Sequence, residues 1–243
     1  MPQATADTEY DPALFERTIR LYGADAVERF ARSRVVIVGI GGVGSFAAEA
    51  LARTAIGQLV LIDSDVVEPS NFNRQLWAVE GNAGRDKVAA ARDRLEAINP
   101  ALRIDARRER CTAESVAGLL APPPDFVVDA IDSVEHKAAL VRYCIEHRFP
   151  IISCMGGAGR TDPTRVRCAD ISKATSCPLA KSLRRHLKEW GIVTGLPVVF
   201  SLEHARGCIP RQPLPSCAMV PAAIGLAAAA HVCAALAVGG VRP

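Results

Sequence analysis

The feature that most constrains this chain is a short apolar run that ends in a glycine-rich turn, VVIVGIGGVG at residues 35–44. A helical stretch follows the turn, and a second apolar run, LVLIDSD, closes at Asp63 and Asp65. Strand, glycine turn, helix, strand and acidic residue, in this order, are typical of the first βαβ unit of a nucleotide-binding sheet. The order therefore predicts a Rossmann-like α/β fold with a nucleotide at the end of the first strand.

Each part of this motif has a physical task. Gly39 and Gly41, with Gly42 beside them, allow a tight turn and the close approach of a phosphate to bare backbone. Gly44 lets the next helix pack closely against the strand, and the amino end of that helix offers amide donors to the phosphate. Asp63 lies 19 residues beyond Gly44, about where a carboxylate meets the ribose hydroxyls.

The length and composition fit one α/β domain. We predict a single unit over residues 1–243, with a nucleotide-binding core at about 33–155 and a C-terminal extension at about 156–243. The formal net charge of +3 does not by itself demand a nucleic-acid partner. The eight cysteines are at least nine residues apart, so no CxxC pair suggests a zinc site. The first 18 residues lack the pattern of a secretory leader, which predicts a cytoplasmic location.

Strands and helices alternate along the chain. Strands are predicted at 35–38, 59–62, 102–106, 126–129, 151–154, 165–169 and 198–201, and helices at 14–32 (one or two), 43–54, 85–98, 113–120, 134–147 and 179–190. This alternation predicts a mainly parallel sheet with helices on both faces. We expect the elements after Met155 to extend the same sheet.

One segment, residues 220–238, is uncharged and could be taken for a membrane span. It is nearly half alanine, and it contains Pro221, Gly225 and His231. Alanine contributes little transfer free energy into a bilayer. We therefore predict a small-residue helix packed inside the protein, and no membrane partner.

Two cations and an acidic residue suggest which nucleotide is bound. Arg74 ends the run SNFNR, and Lys87 follows 13 residues later. A dehydrogenase binds its pyrophosphate through backbone amides, whereas a triphosphate about to be split needs cations against the charge on the departing pyrophosphate. Asp132 follows the fourth strand, so it should reach the same cleft, where a carboxylate suits Mg²⁺. As an alternative, Asp132 could cap the helix that starts near Val134.

These motifs, GIGGVG, the DSD pair, SNFNRQ, Lys87 and DAIDS, resemble in this order the ThiF/MoeB branch of the ubiquitin-activating superfamily, whose members adenylate carboxylates. The resemblance implies ATP and Mg²⁺ as cofactors. It assigns Asp63 to the ribose, Asn71, Arg74 and Lys87 to the phosphates, and Asp132 to the magnesium. Arg17, six residues before Gly23, matches an arginine that this superfamily contributes to the partner subunit's active site, so the resemblance also implies a homodimer.

The second half of the chain is similar to the tRNA threonylcarbamoyladenosine dehydratases of the TcdA/CsdL type. The similar segments are DPT at 162–164, ADISK at 169–173, PLA at 178–180, FSLE at 200–203, and Val220, Pro221 and Gly225. Members of that family activate, with ATP, the carboxylate of a threonylcarbamoyl group on tRNA, and the carbamoyl group then closes a ring. The resemblance implies tRNA as substrate and allows a sulfur-transfer partner protein.

Other functions remain open from the sequence. The chain could adenylate the C-terminus of a ubiquitin-like or sulfur-carrier protein, with Cys177 or Cys217 as nucleophile, although no adjacent histidine marks either cysteine. NAD-dependent redox chemistry and an ATP-binding scaffold without turnover are further alternatives.

A row of basic residues could contact tRNA. The residues Lys181, Arg184, Arg185 and Lys188 have the spacing of one helix face, with Arg160, Arg165 and Arg167 nearby in sequence. A face that is merely solvated explains the row equally well.

Overall fold

The computed structural model describes residues 10–207 and 212–239, and these residues build one seven-stranded sheet. Its strands are β1 (Arg34–Val38), β2 (Gln58–Ile62), β3 (Arg103–Arg107), β4 (Phe126–Asp129), β5 (Ile151–Cys154), β6 (Val166–Asp170) and β7 (Pro197–Ser201). The spatial order is β3-β2-β1-β4-β5-β7-β6, and every pairing is parallel except that of β6 with β7. The predicted mainly parallel sheet, with its C-terminal extension, is confirmed.

Helices cover both faces of the sheet, as predicted. They are α1 (Glu16–Tyr22), α2 (Ala24–Arg32), α3 (Gly44–Ala52), α4 (Lys87–Ile98), α5 (Val116–Leu119), α6 (Val134–Glu146), α7 (Pro178–Glu189) and α8 (Met219–Ala237). Helices α1 to α4 and α8 share one apolar cluster, and α5, α6 and α7 share the other. Within β1, Val35 and Ile37 enter the first cluster while Val36 and Val38 enter the second, which explains why this strand is apolar throughout.

Helix α4 begins at Lys87, two residues later than the predicted start at Arg85. The segment before it pairs with the chain that leaves β2, because Val67 N donates to Arg85 O at 2.8 Å and Lys87 N donates to Asp65 O at 3.1 Å. This pairing brings the first residue of α4 beside the acidic turn after β2. The helical periodicity over residues 85–98 does not indicate this pairing, because the pairing partner lies about 20 residues earlier in the chain.

Helix α8 agrees with the predicted internal helix at 220–238. Its inner face is buried against the sheet and includes Val220, Ile224, Ala228 and Val232. Gly225 brings α8 onto the start of α3, where a Cβ atom at position 225 would lie 2.3 Å from the Val43 carbonyl oxygen. Helix α8 is long and apolar enough to cross a membrane by length and composition alone. Half of its most apolar 18-residue stretch is buried inside the protein.

Candidate nucleotide-binding site

The turn between β1 and α3 is closed by contacts that exclude side chains. Gly39 has a φ of +83°, and a Cβ atom there would lie 2.7 Å from the Ala130 carbonyl oxygen. A Cβ atom on Gly44 would lie 1.9 Å from the Gly39 carbonyl oxygen. At Gly41, by contrast, the nearest atom is Gln75 Nε2, at 3.7 Å. Two glycines therefore shape the turn, while Gly41 leaves space beside the backbone.

The peptide groups at Ile40 are held on both sides. Ile40 N donates to Asp63 Oδ2 at 2.9 Å, and Ile40 O accepts from the indole nitrogen of the fully buried Trp77 at 2.8 Å. Trp77 could not be recognised from the sequence as a site residue, since a lone tryptophan has no pattern that marks such a partner. The tryptophan ties the segment after Arg74 directly to the glycine turn.

Asp63 is where the sequence predicts it, immediately beyond the end of β2. Its second carboxylate oxygen, Oδ1, accepts from Asp65 N at 2.9 Å. Burial raises the pKa of Asp63, and the nearby ammonium of Lys87 acts against that rise. Each carboxylate oxygen holds one backbone N–H and keeps a lone pair, so the side chain is oriented and can still accept a ribose hydroxyl.

Lys87 is buried, and its ammonium is paired with Asp65. The Nζ–Oδ2 distance is 2.8 Å, and the lysine side chain is 8% exposed while that of the aspartate is 59% exposed. The ammonium lowers the pKa of Asp65, mainly through this hydrogen bond. Asp65 takes one of the three ammonium donors, so Lys87 is a fixed cation rather than a solvated helix residue.

Arg74 lies over the glycine turn. A Cβ atom on Gly42 would be 3.2 Å from Arg74 Cγ, and the guanidinium Nη1 donates to Ser70 O at 3.0 Å and Asn73 Oδ1 at 2.9 Å. These bonds use one guanidinium nitrogen. The other nitrogens have no partner within the described ranges, and they suit phosphate oxygens.

Asn71, also predicted to contact the phosphates, is buried in the short 3₁₀ helix over Pro69–Asn71. Its Oδ1 accepts from Glu68 N at 3.1 Å, and its Nδ2 makes only a long contact of 3.5 Å with Ser70 Oγ. The side chain therefore caps its own turn and retains amide donors.

Asp132 stands in the loop after β4, at the same edge of the sheet as the glycine turn. It is exposed, and its carboxylate has no hydrogen bond or ion pair to the residues the structure describes. Ser133 is the residue that precedes α6, and no side chain caps that helix. The alternative role of Asp132 as a helix cap is therefore not observed.

Arg17 lies elsewhere, on α1, which packs against α2. Its side chain is exposed and has no hydrogen bond or ion pair within residues 10–207 and 212–239. Arg17 is thus not held by any of the other predicted site residues of its own chain among those the structure describes.

The two candidate cysteines are not arranged as activated nucleophiles. Cys177 is buried, with Sγ 3.9 Å from where a Cβ atom on Gly156 would lie, and the Cys217 thiol makes a 3.6 Å contact with the Arg160 carbonyl oxygen. Neither has a histidine as hydrogen-bond partner in the described part of the chain.

Two of the candidate RNA-binding arginines are structural. Arg160 is buried and donates to the carbonyl oxygens of Gly156, Ala158, Ser176 and Glu203. Arg184 Nη1 donates to the carbonyl oxygens of Ile171 and Ala174. The expectation that Arg160 could contact tRNA phosphates was wrong, because its guanidinium is buried and its donors bind backbone carbonyl oxygens. Arg184 is half-buried, and its Nη1 is occupied in the same way. Of the seven basic residues considered as contacts for tRNA, the exposed ones are Arg165, Arg167, Lys181, Arg185 and Lys188.

Comparison with known proteins gives a consistent result. The model of the ThiF family matches residues 15–240. The tRNA threonylcarbamoyladenosine dehydratase of Escherichia coli (strain K12) is 42% identical over 196 residues, and the match covers 78% of this chain and 73% of that protein.

Two crystal structures of the Escherichia coli dehydratase TcdA are similar over nearly their whole length. The complex with AMP has a TM-score of 0.89 at 37% identity and covers 96% of this chain and 97% of that chain. The complex with ATP has a TM-score of 0.87 at 38% identity and covers 93% of this chain and 94% of that chain. The chain therefore belongs to the ThiF family and, within it, to the group of the tRNA threonylcarbamoyladenosine dehydratases.

Proposed function

We propose that this protein uses ATP to dehydrate threonylcarbamoyladenosine in tRNA, through an acyl-adenylate of the substrate carboxylate. The observation that carries the proposal is one sheet edge that combines a bare glycine turn, an oriented ribose acceptor at Asp63 and two fixed cations, Arg74 and Lys87. The similarity to dehydratases solved with ATP and with AMP supports the same chemistry.

The residues present fit ATP. The turn leaves open space at Gly41, where a Cβ atom would meet nothing closer than the amide nitrogen Gln75 Nε2 at 3.7 Å. Bare backbone with an amide donor beside it suits the oxygens of a phosphate, which accept hydrogen bonds. We infer that Gly39, Gly41, Gly42 and Gly44 form the phosphate turn, while Asn71, Arg74 and Lys87 contact the phosphates.

The residues present also fit a magnesium ion held largely by phosphate oxygens. Within the described ranges, no three His, Cys, Asp or Glu side chains form a group that could hold a metal. Mg²⁺ in nucleotide sites commonly uses one or two carboxylates together with phosphate oxygens and water, and Asp132 offers one unpaired carboxylate. When bound there, Mg²⁺ would neutralise charge on the phosphates.

The proposed reaction balances without an enzyme nucleophile. A carboxylate oxygen of the substrate attacks the α-phosphorus of ATP, and pyrophosphate leaves. The carbamoyl group then attacks the acyl carbon, the acyl–oxygen bond breaks, and AMP departs with the former carboxylate oxygen while one proton is released. Water is thus removed from the substrate at the expense of ATP, and no protein cysteine is needed.

The protein contributes position and charge. Arg74 and Lys87 are anchored before the substrate arrives, by Ser70, Asn73 and Asp65, so little reorganisation is needed as charge builds on the departing pyrophosphate. The glycine turn holds the phosphates through its backbone, and Asp63 holds the ribose.

We also propose tRNA as the macromolecular partner and the cytoplasm as the location. The exposed basic residues of α7, namely Lys181, Arg185 and Lys188, offer donors for phosphates, whereas Arg167 Nη1 already donates to the carbonyl oxygens of Thr164 and Val166. A single adenylating domain over the whole chain fits the shared sheet. A sulfur-transfer partner protein stays a proposal from resemblance alone, and adenylation of a carrier protein is the alternative function.

A homodimer completes the proposal. Arg17 is exposed and makes no hydrogen bond or ion pair within the described residues, so its guanidinium is available to act in the partner subunit's site. Leu21, on the same helix, is 76% exposed, so α1 presents an apolar side chain that a second copy would cover.

The direct test is mass spectrometry of tRNA nucleosides after incubation of the purified protein with Mg-ATP and tRNA that carries threonylcarbamoyladenosine. We expect the nucleoside to lose the mass of one water, with ATP required. A carrier protein with a C-terminal Gly-Gly serves as the competing acceptor. Pyrophosphate release with the carrier and not with the tRNA would replace the proposed function by the alternative.

Arg74→Ala should reduce turnover by about 100-fold or more, because a fixed cation at the departing pyrophosphate is lost. The melting temperature should change by less than about 2 °C, since the guanidinium bonds only its own turn. Arg53→Ala is the matched control, because Arg53 follows the far end of α3 and pairs with Glu49. Equal AMP production by Arg74→Ala and the control would remove the proposed role.

Mixed subunits test the role of Arg17. Arg17→Ala and Asp132→Ala should each be inactive alone, and mixing them should restore up to about a quarter of wild-type activity, because one site in a heterodimer of a random mixture is intact. Each variant mixed with itself is the control. Failure of every mixture to recover AMP formation would contradict a site shared between subunits.

A further inference from the structure

A fully buried ion pair lies beneath the loop that carries Asp132. Asp129 is the last residue of β4 and Lys137 lies in the first turn of α6; both side chains are 0% exposed, and Lys137 Nζ is 2.7 Å from Asp129 Oδ2. Ser153, in β5, donates its hydroxyl to the same carboxylate oxygen at 2.5 Å. The pair thus joins two neighbouring strands and a helix at the site edge of the sheet.

Every donor of the ammonium is used. Besides Asp129, Lys137 Nζ donates to Ser153 Oγ at 3.3 Å and to Cys154 O at 2.9 Å. Removing two charges from water has a large cost in free energy, and replacing such a pair by apolar residues is often neutral or stabilising. Stability alone is therefore a weak reason for this pair, and a geometric task is the better explanation.

The pair controls the loop above it through direct contacts. Asp129 Oδ1, the oxygen not shared with lysine, accepts from Ile131 N at 3.1 Å. Ala130 N donates to Val38 O at 2.8 Å, and the Ala130 carbonyl oxygen is the group that a side chain at Gly39 would strike. The start of the loop at 130–132 is thus fixed by two hydrogen bonds, one from Ile131 N to the Asp129 carboxylate and one from Ala130 N to the end of β1.

We infer that Lys137 is a positioning residue for the nucleotide site: by fixing Asp129, it holds the loop that closes the glycine turn and presents Asp132 to the metal–nucleotide complex. The inference rests on the proposed role of Asp132 toward Mg²⁺. Residues behind metal-binding groups commonly change metal affinity by about 10–100-fold when they are substituted.

The test measures ATP binding by calorimetry with Mg²⁺ and with EDTA, and compares the ratio of the two dissociation constants among variants. In the wild type, Mg²⁺ should strengthen ATP binding, so the dissociation constant in EDTA should exceed the one in Mg²⁺. Lys137→Met should reduce the ratio of these two constants by about tenfold. Val232→Ala is the matched control for lost stability, because Val232 is buried in α8 in the other apolar cluster. It should lower the melting temperature and keep the wild-type ratio.

Two further variants keep the inference falsifiable if Lys137→Met fails to fold. Ser153→Ala removes one partner of the carboxylate, and Asp129→Asn combined with Lys137→Met removes both charges. Each should fold and still lose part of the gain from Mg²⁺. A wild-type ratio in all of these variants would overturn the inference and leave the pair a structural one.

Asp132→Asn separates this inference from the function on which it rests. Loss of the Mg²⁺ gain in Asp132→Asn together with a wild-type ratio in the Lys137 and Ser153 variants refutes the positioning role alone. An unchanged gain in Asp132→Asn refutes the metal role of Asp132 and the inference with it, while ATP binding and nucleoside dehydration remain to be judged by their own assays.

Discussion

The close contact between the glycine turn and the loop after β4 is the constraint on which the rest of the site depends. Gly39 cannot carry a side chain because of Ala130, and Gly44 cannot because of Gly39 itself. These contacts bring the end of β1, the start of α3 and the loop of Asp132 together at one edge. A parallel sheet supplies that edge, since the carboxyl ends of adjacent strands converge there.

Polar groups at this edge are held by other polar groups before any ligand arrives. Asp63 is oriented by two backbone N–H groups, Lys87 by Asp65, and Arg74 by the carbonyl oxygen of Ser70. The free energy needed to orient these groups is therefore supplied during folding, and the triphosphate binds to charges and dipoles that are already in place. The site is therefore built to position a nucleotide and to stabilise charge, which suits a reaction whose ring closure occurs within the substrate.

The sequence was sufficient for the parts of the fold that depend on local pattern. The apolar runs of β1 and β2, the intervening glycines and Asp63 follow one another along the chain, so their arrangement could be predicted. Interactions between distant segments could not. The pairing that starts α4 at Lys87 and the bond from Trp77 to Ile40 join residues that no periodicity links.

Charged residues on buried positions were the hardest to interpret. Arg160 was expected to be a surface cation near other arginines, whereas it is buried and donates to four backbone carbonyl oxygens. Lys137 carried a signal that could have been used, because it falls on the apolar face of α6 beside Ala138 and Val141. A lysine on such a face, eight residues after an aspartate that ends a buried strand, indicates an internal pair.

The central claim is that this site breaks ATP between its α- and β-phosphates to activate a carboxylate. The most direct measurement uses tRNA that bears threonylcarbamoyladenosine as the substrate. Chromatography identifies and quantifies the nucleotide products, and their amounts are compared with the amount of cyclised nucleoside formed. The account predicts AMP and pyrophosphate, one of each for every nucleoside dehydrated. Formation of ADP and inorganic phosphate, or dehydration without nucleotide cleavage, would contradict it.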